Sequence, residues 1–206
     1  MRRSLFGVVS ASVVLVAAGP GVAAASPTPL SLTARLLKRG EFPGFTFEAP
    51  TSYTAKAWVA LNTGLTTAQT NTEVARLTRE GFKGLLSEYL DDKQGPRNGL
   101  SFVMQLGSAA SARAELAAEV RDTKLQTPAT ETFKVSAIPG AVGFGSDGGN
   151  PGDYMGGENI AFADGSFFYL VGNAWSGSTK TSNPSHKALI AAAAKLYERV
   201  HGHPAA

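Results

Sequence analysis

The chain has 206 residues, no cysteine, and 19 basic against 16 acidic side chains. The lack of cysteine excludes disulfides, thiolate metal sites, thiol nucleophiles and a lipobox anchor. Two of the basic residues fall within the first 25, so the rest of the chain is nearly neutral. Its Lys and Arg lie singly among acids, which sets nucleic acid aside as a partner.

Residues 1–25 read as a signal peptide. Arg2 and Arg3 give a basic start, Leu5 to Ala18 carry no charge, Gly19-Pro20 breaks the run, and Ala23-Ala24-Ala25 precedes Ser26. Cleavage between Ala25 and Ser26 is expected, leaving a secreted protein in the extracellular or cell-envelope space. The Arg2-Arg3 pair leaves both the general and the twin-arginine export routes open. The apolar stretch is shorter than the roughly 20 residues of a membrane span, and the longest later one, Ala188 to Ala194, is shorter still. No membrane span is expected. The chain beyond Ala25 is long enough to bury about 70% of its unfolded surface without staples, and one domain is expected.

Residues 26–42 read as a linker with a short helical turn that Leu32, Leu36 and Leu37 dock, and residues 43–203 as the single domain. Phe45 and Phe47 alternate with polar neighbours and predict a first strand. Residues 51–69 show no clean period. Thr70-Asn71-Thr72-Glu73 fits a capping box ahead of Val74, Leu77 and Thr78, and Gly81 fits the left-handed stop, with Phe82 packing back. Leu85–Leu90 and Leu100–Leu106 predict a hairpin. Ser108 predicts the cap of a helix over 109–125 with Ala112, Leu116 and Val120 inward. Phe133, Val135 and Ala137 alternate as a strand ending at Pro139-Gly140. Residues 140–157 read as a glycine-rich loop. Ile160 and Phe162, the Asp164-Gly165 turn and the apolar run Phe167–Val171 predict a hairpin whose second strand is central. Asn183-Pro184 predicts the start of a last helix with Leu189, Ile190, Ala193, Leu196, Tyr197 and Val200 in its stripe. The order describes an α+β fold: an antiparallel sheet packed by helices.

Chemistry-bearing patterns are sparse. Gly143-Phe144-Gly145-Ser146-Asp147-Gly148 matches G-x-G-x-x-G, but no helix comes after it to receive a pyrophosphate. Asp147, Asn150, Asp153 and Glu158 are oxygen ligands whose spacing fits no calcium loop. There is no G-x-S-x-G or S-x-x-K, and the histidines are His186 at the last helix and His201 and His203 in a tail expected to fray. Glu88, Asp91 and Asp92 read as solvated charges near a hairpin tip. No catalytic residue, metal or cofactor is expected. Trp58 reads as core. Tyr154, Trp175 and Asp153 are the candidate ligand or partner contacts, around a groove between sheet and helix bordered by residues 143–157.

The pieces LLKRGEFPG, EGFKG, SAASARAEL, IPGA, NIAFADGSFFYLVG and KLYERV resemble small secreted or lipoprotein domains of actinobacteria. Several of those adopt a PsbP-like sandwich, and the extracellular sensor domains of actinobacterial Ser/Thr kinases share a comparable layout. This chain lacks the cysteines of both groups. The resemblance implies a fold and no activity. The expected function is a secreted, non-catalytic binding or interaction module of the cell envelope or exterior. Its partner would be a small apolar or cell-envelope ligand, or another exported protein. The alternative is an exported hydrolase using paired carboxylates. A third reading, a structural envelope protein, would show a flat apolar patch.

Overall fold

The structure is a computed structural model that describes residues 28–61, 65–92, 95, 97–150, 153–177 and 186–204. The signal peptide with its Ala25-Ser26 cleavage site and the Asn183-Pro184 helix start lie outside the described residues.

Eight antiparallel strands form one sheet: β1 (Phe45–Phe47), β2 (Thr51–Tyr53), β3 (Gly84–Asp92), β4 (Arg97–Gln105), β5 (Glu131–Lys134), β6 (Val142–Asn150), β7 (Asp153–Asp164) and β8 (Phe167–Gly177). The order is β1-β3-β4-β8-β7-β6-β5, with β2 also on β3. Four helices pack on it: α1 (Ala55–Ala60), α2 (Thr67–Arg79), α3 (Ala109–Gln126) and α4 (His186–Val200). The protein is therefore of the α+β class, with an open antiparallel sheet.

β8 explains the layering. It lies between β4 and β7 and alternates between two cores. Phe167, Tyr169 and Val171 join the core under α4 and the N-terminal segment, while Phe168 and Leu170 join the one under α1, α2 and α3. An apolar run without polar alternation fits a strand covered on both faces. The Gly165-Ser166 link between β7 and β8 has positive φ at Gly165 alone, as a type II′ turn requires.

Several elements depart from the sequence expectations. The cap of α2 is Thr66 with Gln69, one turn before the expected box: Gln69 N donates to Thr66 Oγ1 and Thr66 N to Gln69 Oε1. Thr66-x-x-Gln69 satisfies the same two-way bonding, and starting there gains a helical turn. The stop is as expected. Gly81 has φ +74, Gly81 N donates to Thr78 O and Phe82 N to Leu77 O, a complete Schellman motif. β5 ends at Lys134, and Val135 and Ile138 turn into the core beyond it.

The largest correction concerns residues 140–157. Residues 142–150 and 153–157 belong to a β-ribbon, β6 on β7, paired from Val142↔Ala161 to Asn150↔Asp153. Glycine usually weakens a strand, but it also marks places of close approach. A methyl on Gly143 would overlap the Phe133 ring, and one on Gly156 the Trp175 ring. The bare positions are where aromatic side chains lie across the ribbon.

The chain ends are fastened together. Leu36, Leu37 and Phe42 are core residues, and Leu30 N donates to Pro204 O. The expected fraying of the tail is thereby overturned. His201 Nδ1 meets Asp164 Oδ1 at 2.9 Å and its ring stacks on Tyr197, while His203 Nδ1 donates to Thr28 O at 2.8 Å.

Candidate functional site

Helices α1, α2 and α3 cover one face of the sheet. An open groove of about 860 Å³ remains between them. Local sequence sets its walls. Thr54 Oγ1 accepts from Ala57 N to start α1, and Ser108 Oγ accepts from Ser111 N to start α3. On α3, Glu115, Ala118, Glu119 and Asp122 recur at helical spacing, so one stripe of that helix faces the groove.

The lips are apolar. Leu61 is 51% exposed at the end of α1 and Leu125 is 73% exposed near the end of α3. Trp58 and Leu65 continue that surface inward. Trp58 also packs on Phe102 at 4.9 Å and edge-on to Tyr53 at 5.9 Å, so it serves the core and lines the groove.

The floor is charged. Arg76 of α2 donates to Glu80 Oε2 at 2.8 Å, to Glu115 Oε2 at 2.6 Å, and to Glu73 through both Nε and Nη2. Glu115 is buried, and burial raises its carboxyl above the usual range while the Arg76 bond and charge oppose that. Glu119 has no such counterweight of comparable size. Burial first, then the charges of Glu115 and Asp122, push it up to about 7. The groove thus offers apolar lips to a ligand's body and a partly desolvated carboxylate floor to a polar or cationic end.

A second hollow, about 360 Å³, lies on the opposite face where β5, β6 and β7 meet the first turn of α4. His186 Nδ1 stands 2.8 Å from Glu158 Oε1, and the His186 ring lies 4.3 Å from that of Phe133. Glu158 is 3% exposed. Its carboxyl is raised by burial, with His186 pulling it back and Asp147 adding to the rise.

The expected site residues divide among these places. Asp147, Glu158 and His186 line the second hollow together. Asn150, Asp153 and Tyr154 belong to the β6–β7 ribbon by their backbones, with side chains outside what is described. Among the described residues no three His, Asp or Glu groups are arranged to hold a metal. Trp175 is 6% exposed, seated over Gly156 and lining neither hollow.

The acids near the β3–β4 turn also need correction. Glu88 is 7% exposed and sits beneath the N-terminal segment, because its side chain shares a face with Leu86 and Leu90. Asp92 is held by Arg97. Sequence reasoning missed Arg76, Glu115 and Glu119. The signal for the two glutamates was their i, i+4 repeat on α3 beside small alanines, which reads equally as a solvated helix face, and Arg76 on α2 carried no signal of its own.

No protein-family model and no curated protein matches the sequence. The fold has a solved counterpart. The extracellular domain of PknH from Mycobacterium tuberculosis superposes with a TM-score of 0.54 at 13% identity, over 83% of this chain and 98% of that one. An uncharacterised protein of Mycobacterium smegmatis, the Rv0999 ortholog, aligns over 77% of this chain and 90% of its own, at 10% identity and a TM-score of 0.33. At such identity the likeness to the PknH domain is one of fold. The layout is shared with that extracellular domain, and no described helix is long and apolar enough to cross a membrane.

Proposed function

We propose that the protein is an exported, non-catalytic binding module of the bacterial exterior, and that the α1–α2–α3 groove is its ligand site. One observation carries this reading. Two large leucines stand exposed at the lips of an open groove whose floor holds half-desolvated carboxylates. Exposed leucines lose little by being covered, and pockets of this size that combine apolar walls with a few polar groups suit small ligands. The occupant would be an amphipathic molecule, its apolar body between Leu61 and Leu125 and its polar end toward Glu119. The fold likeness to an extracellular domain supports the compartment.

Native mass spectrometry of the protein recovered from the medium of cells expressing the full chain tests this. A constant added mass that disappears in a Leu61→Asp/Leu125→Asp variant is the expected result. A bare monomer, or a shift from a second polypeptide, would move the role to protein partnership. The hydrolase reading keeps one specific support, the carboxyl of Glu119 at about 7 beside the charge of Asp122, a pairing of the kind used for acid–base work. Turnover of a glycoside panel that Glu119→Gln abolishes would establish it over the binding role.

A further inference from the structure

We infer that the hollow between β5, β6, β7 and the start of α4 is a second binding site, one that takes an organic cation bearing a primary ammonium or guanidinium group. It lies on the sheet face opposite the groove, and its claim is independent of the groove's.

Two buried acceptors of this face lack donors. Glu158 is 3% exposed, and only one of its oxygens is served, by His186 at 2.8 Å. Glu158 Oε2 is buried with no hydrogen-bond partner among the described residues, and so is Asn173 Oδ1. These two residues are directly paired across β7 and β8. Directly opposed residues of an antiparallel pair keep their Cβ atoms about 4.5–5.5 Å apart, so Asn173 stands behind Glu158, the one of the two that lines the hollow. Buried acceptors are almost always satisfied, and each exception calls for an explanation.

The lining sharpens the kind of donor required. Glu131 and Asp147 stand around the same hollow as Glu158. Asp147 makes an interaction of its own, so it adds field and not open valence. Acceptor capacity exceeds donor capacity, and the excess is anionic. An ammonium brings three donors and a guanidinium five, each with one positive charge. A hard divalent cation fits less well. It wants six to eight oxygens, whereas no metal-holding group of three acids or histidines is present among the described residues. One wall is instead the Phe133 ring, held between Gly143 and the His186 ring.

The glycine pattern accounts for the space. Gly145 is paired with Glu158, and a methyl there would come within 2.9 Å of Glu158 Cγ and overlap the Gly157 carbonyl. Gly143 lies beneath the Phe133 ring. The G-x-G that looked like a nucleotide motif therefore leaves two strand positions bare, one for the aromatic wall and one for the carboxylate. The hollow of about 360 Å³ holds a small side chain or amine.

The test is NMR titration of the full chain's secreted product with n-butylamine, n-butylguanidinium and n-butanol, read at the amides of Gly145 and Glu158. Both cations should shift these resonances saturably, and n-butanol should not. Glu158→Gln should weaken the cations roughly tenfold or more, the loss of one charge-assisted hydrogen bond. Glu119→Gln, in the opposite groove, should leave them unchanged. Should Glu158→Gln fail to fold, the exposed Glu131→Gln carries the test through a several-fold loss. Equal response to n-butanol, no response to either cation, or unchanged affinity in the folded Glu158 or Glu131 variant overturns the inference. A Gly-Lys-Gly peptide distinguishes the sources. Tighter binding than n-butylamine supports a partner's lysine as the occupant, and weaker binding supports a free amine.

Discussion

The guanidinium of Arg35 donates to the phenol oxygen of Tyr169 across 2.8 Å, joining residues 134 apart in sequence inside the core. Arg35 is fully buried, yet its partners are neutral. It lies 3.7 Å over the Phe167 ring and donates to the carbonyls of Leu30, His203 and Pro204. It thereby binds the N-terminal segment and the C-terminal tail to the central strand. Burial drives the Tyr169 phenol up to about 12 against the opposing pull of Arg35. A neutral acceptor for a buried cation is thus kept neutral over the whole physiological range.

Arg35→Ala should be among the most destabilising single changes. It removes the stem from the core and takes the Arg35 donor away from three carbonyls and a phenol, of which Pro204 O keeps its bond from Leu30 N. A loss of about 3–4 kcal/mol is expected, seen as a fall in Tm of roughly 10 °C for a chain of this size. Arg35→Lys should recover less than half of that, because an ammonium cannot reach a phenol and several carbonyls in one fork. Thermal and urea unfolding of the three proteins check both statements, and a fall in Tm of only a degree or two for Arg35→Ala would remove Arg35 from this role.

Glu88 should make stability depend on pH near neutrality. Burial raises its carboxyl to about 7 from an ordinary 4.5, partly opposed by Arg39. A folded-state pKa above the unfolded one means the contribution is fully present below about 4.5 and is lost as pH rises through 7. Glu88→Gln keeps a neutral group and removes that dependence. The variant should match the parent at pH 4.5–5 and exceed it by about 1–2 kcal/mol at pH 8. Urea midpoints at the two pH values decide it. An equal difference at both would mean that Glu88 does not titrate there.

The ribbon glycines should differ in sensitivity. A methyl on Gly156 meets the Trp175 ring and the backbone oxygen of Ser146 at 2.9 Å, and Trp175 is itself buried. One on Gly143 meets the Phe133 ring first, which is partly buried near the sheet edge. Gly156→Ala should therefore cost about 2–3 kcal/mol and red-shift Trp175 emission, whereas Gly143→Ala should cost about 1 kcal/mol as the ring swings aside. Equal costs would show that the rings do not set the glycine positions.

The contrast between these glycines and the turn glycines explains which parts of the fold were legible. Gly81 with Phe82, the Gly165 turn and the Ser108 cap are local devices, each complete within a few residues, and all three are present. The β6–β7 ribbon is not local. Its glycines look like loop formers until Phe133 and Trp175 arrive from neighbouring strands. Arg35 likewise reads as a surface charge, since its acceptors come from the chain's other end. At the groove, Glu115 and Arg76 are 39 residues apart on different helices. Nothing in either helix alone distinguishes their meeting from two solvated charges.

That meeting supports a last prediction. Arg76 neutralises a carboxylate whose side chain is only 8% exposed, in the wall of the groove. Removing one partner of a buried pair costs more than the pair contributes, because the other charge stays desolvated. Arg76→Met should therefore destabilise by about 2–4 kcal/mol at pH 7.5, and Arg76→Met/Glu115→Gln should recover at least half. The penalty also depends on pH. Without Arg76 nothing of similar size opposes the burial that raises Glu115, so its carboxyl titrates higher and the penalty shrinks as pH falls and Glu115 becomes neutral. Strictly additive single changes, or a penalty that grows toward acid, would mean that Arg76 packs against the groove by its stem and not by its charge.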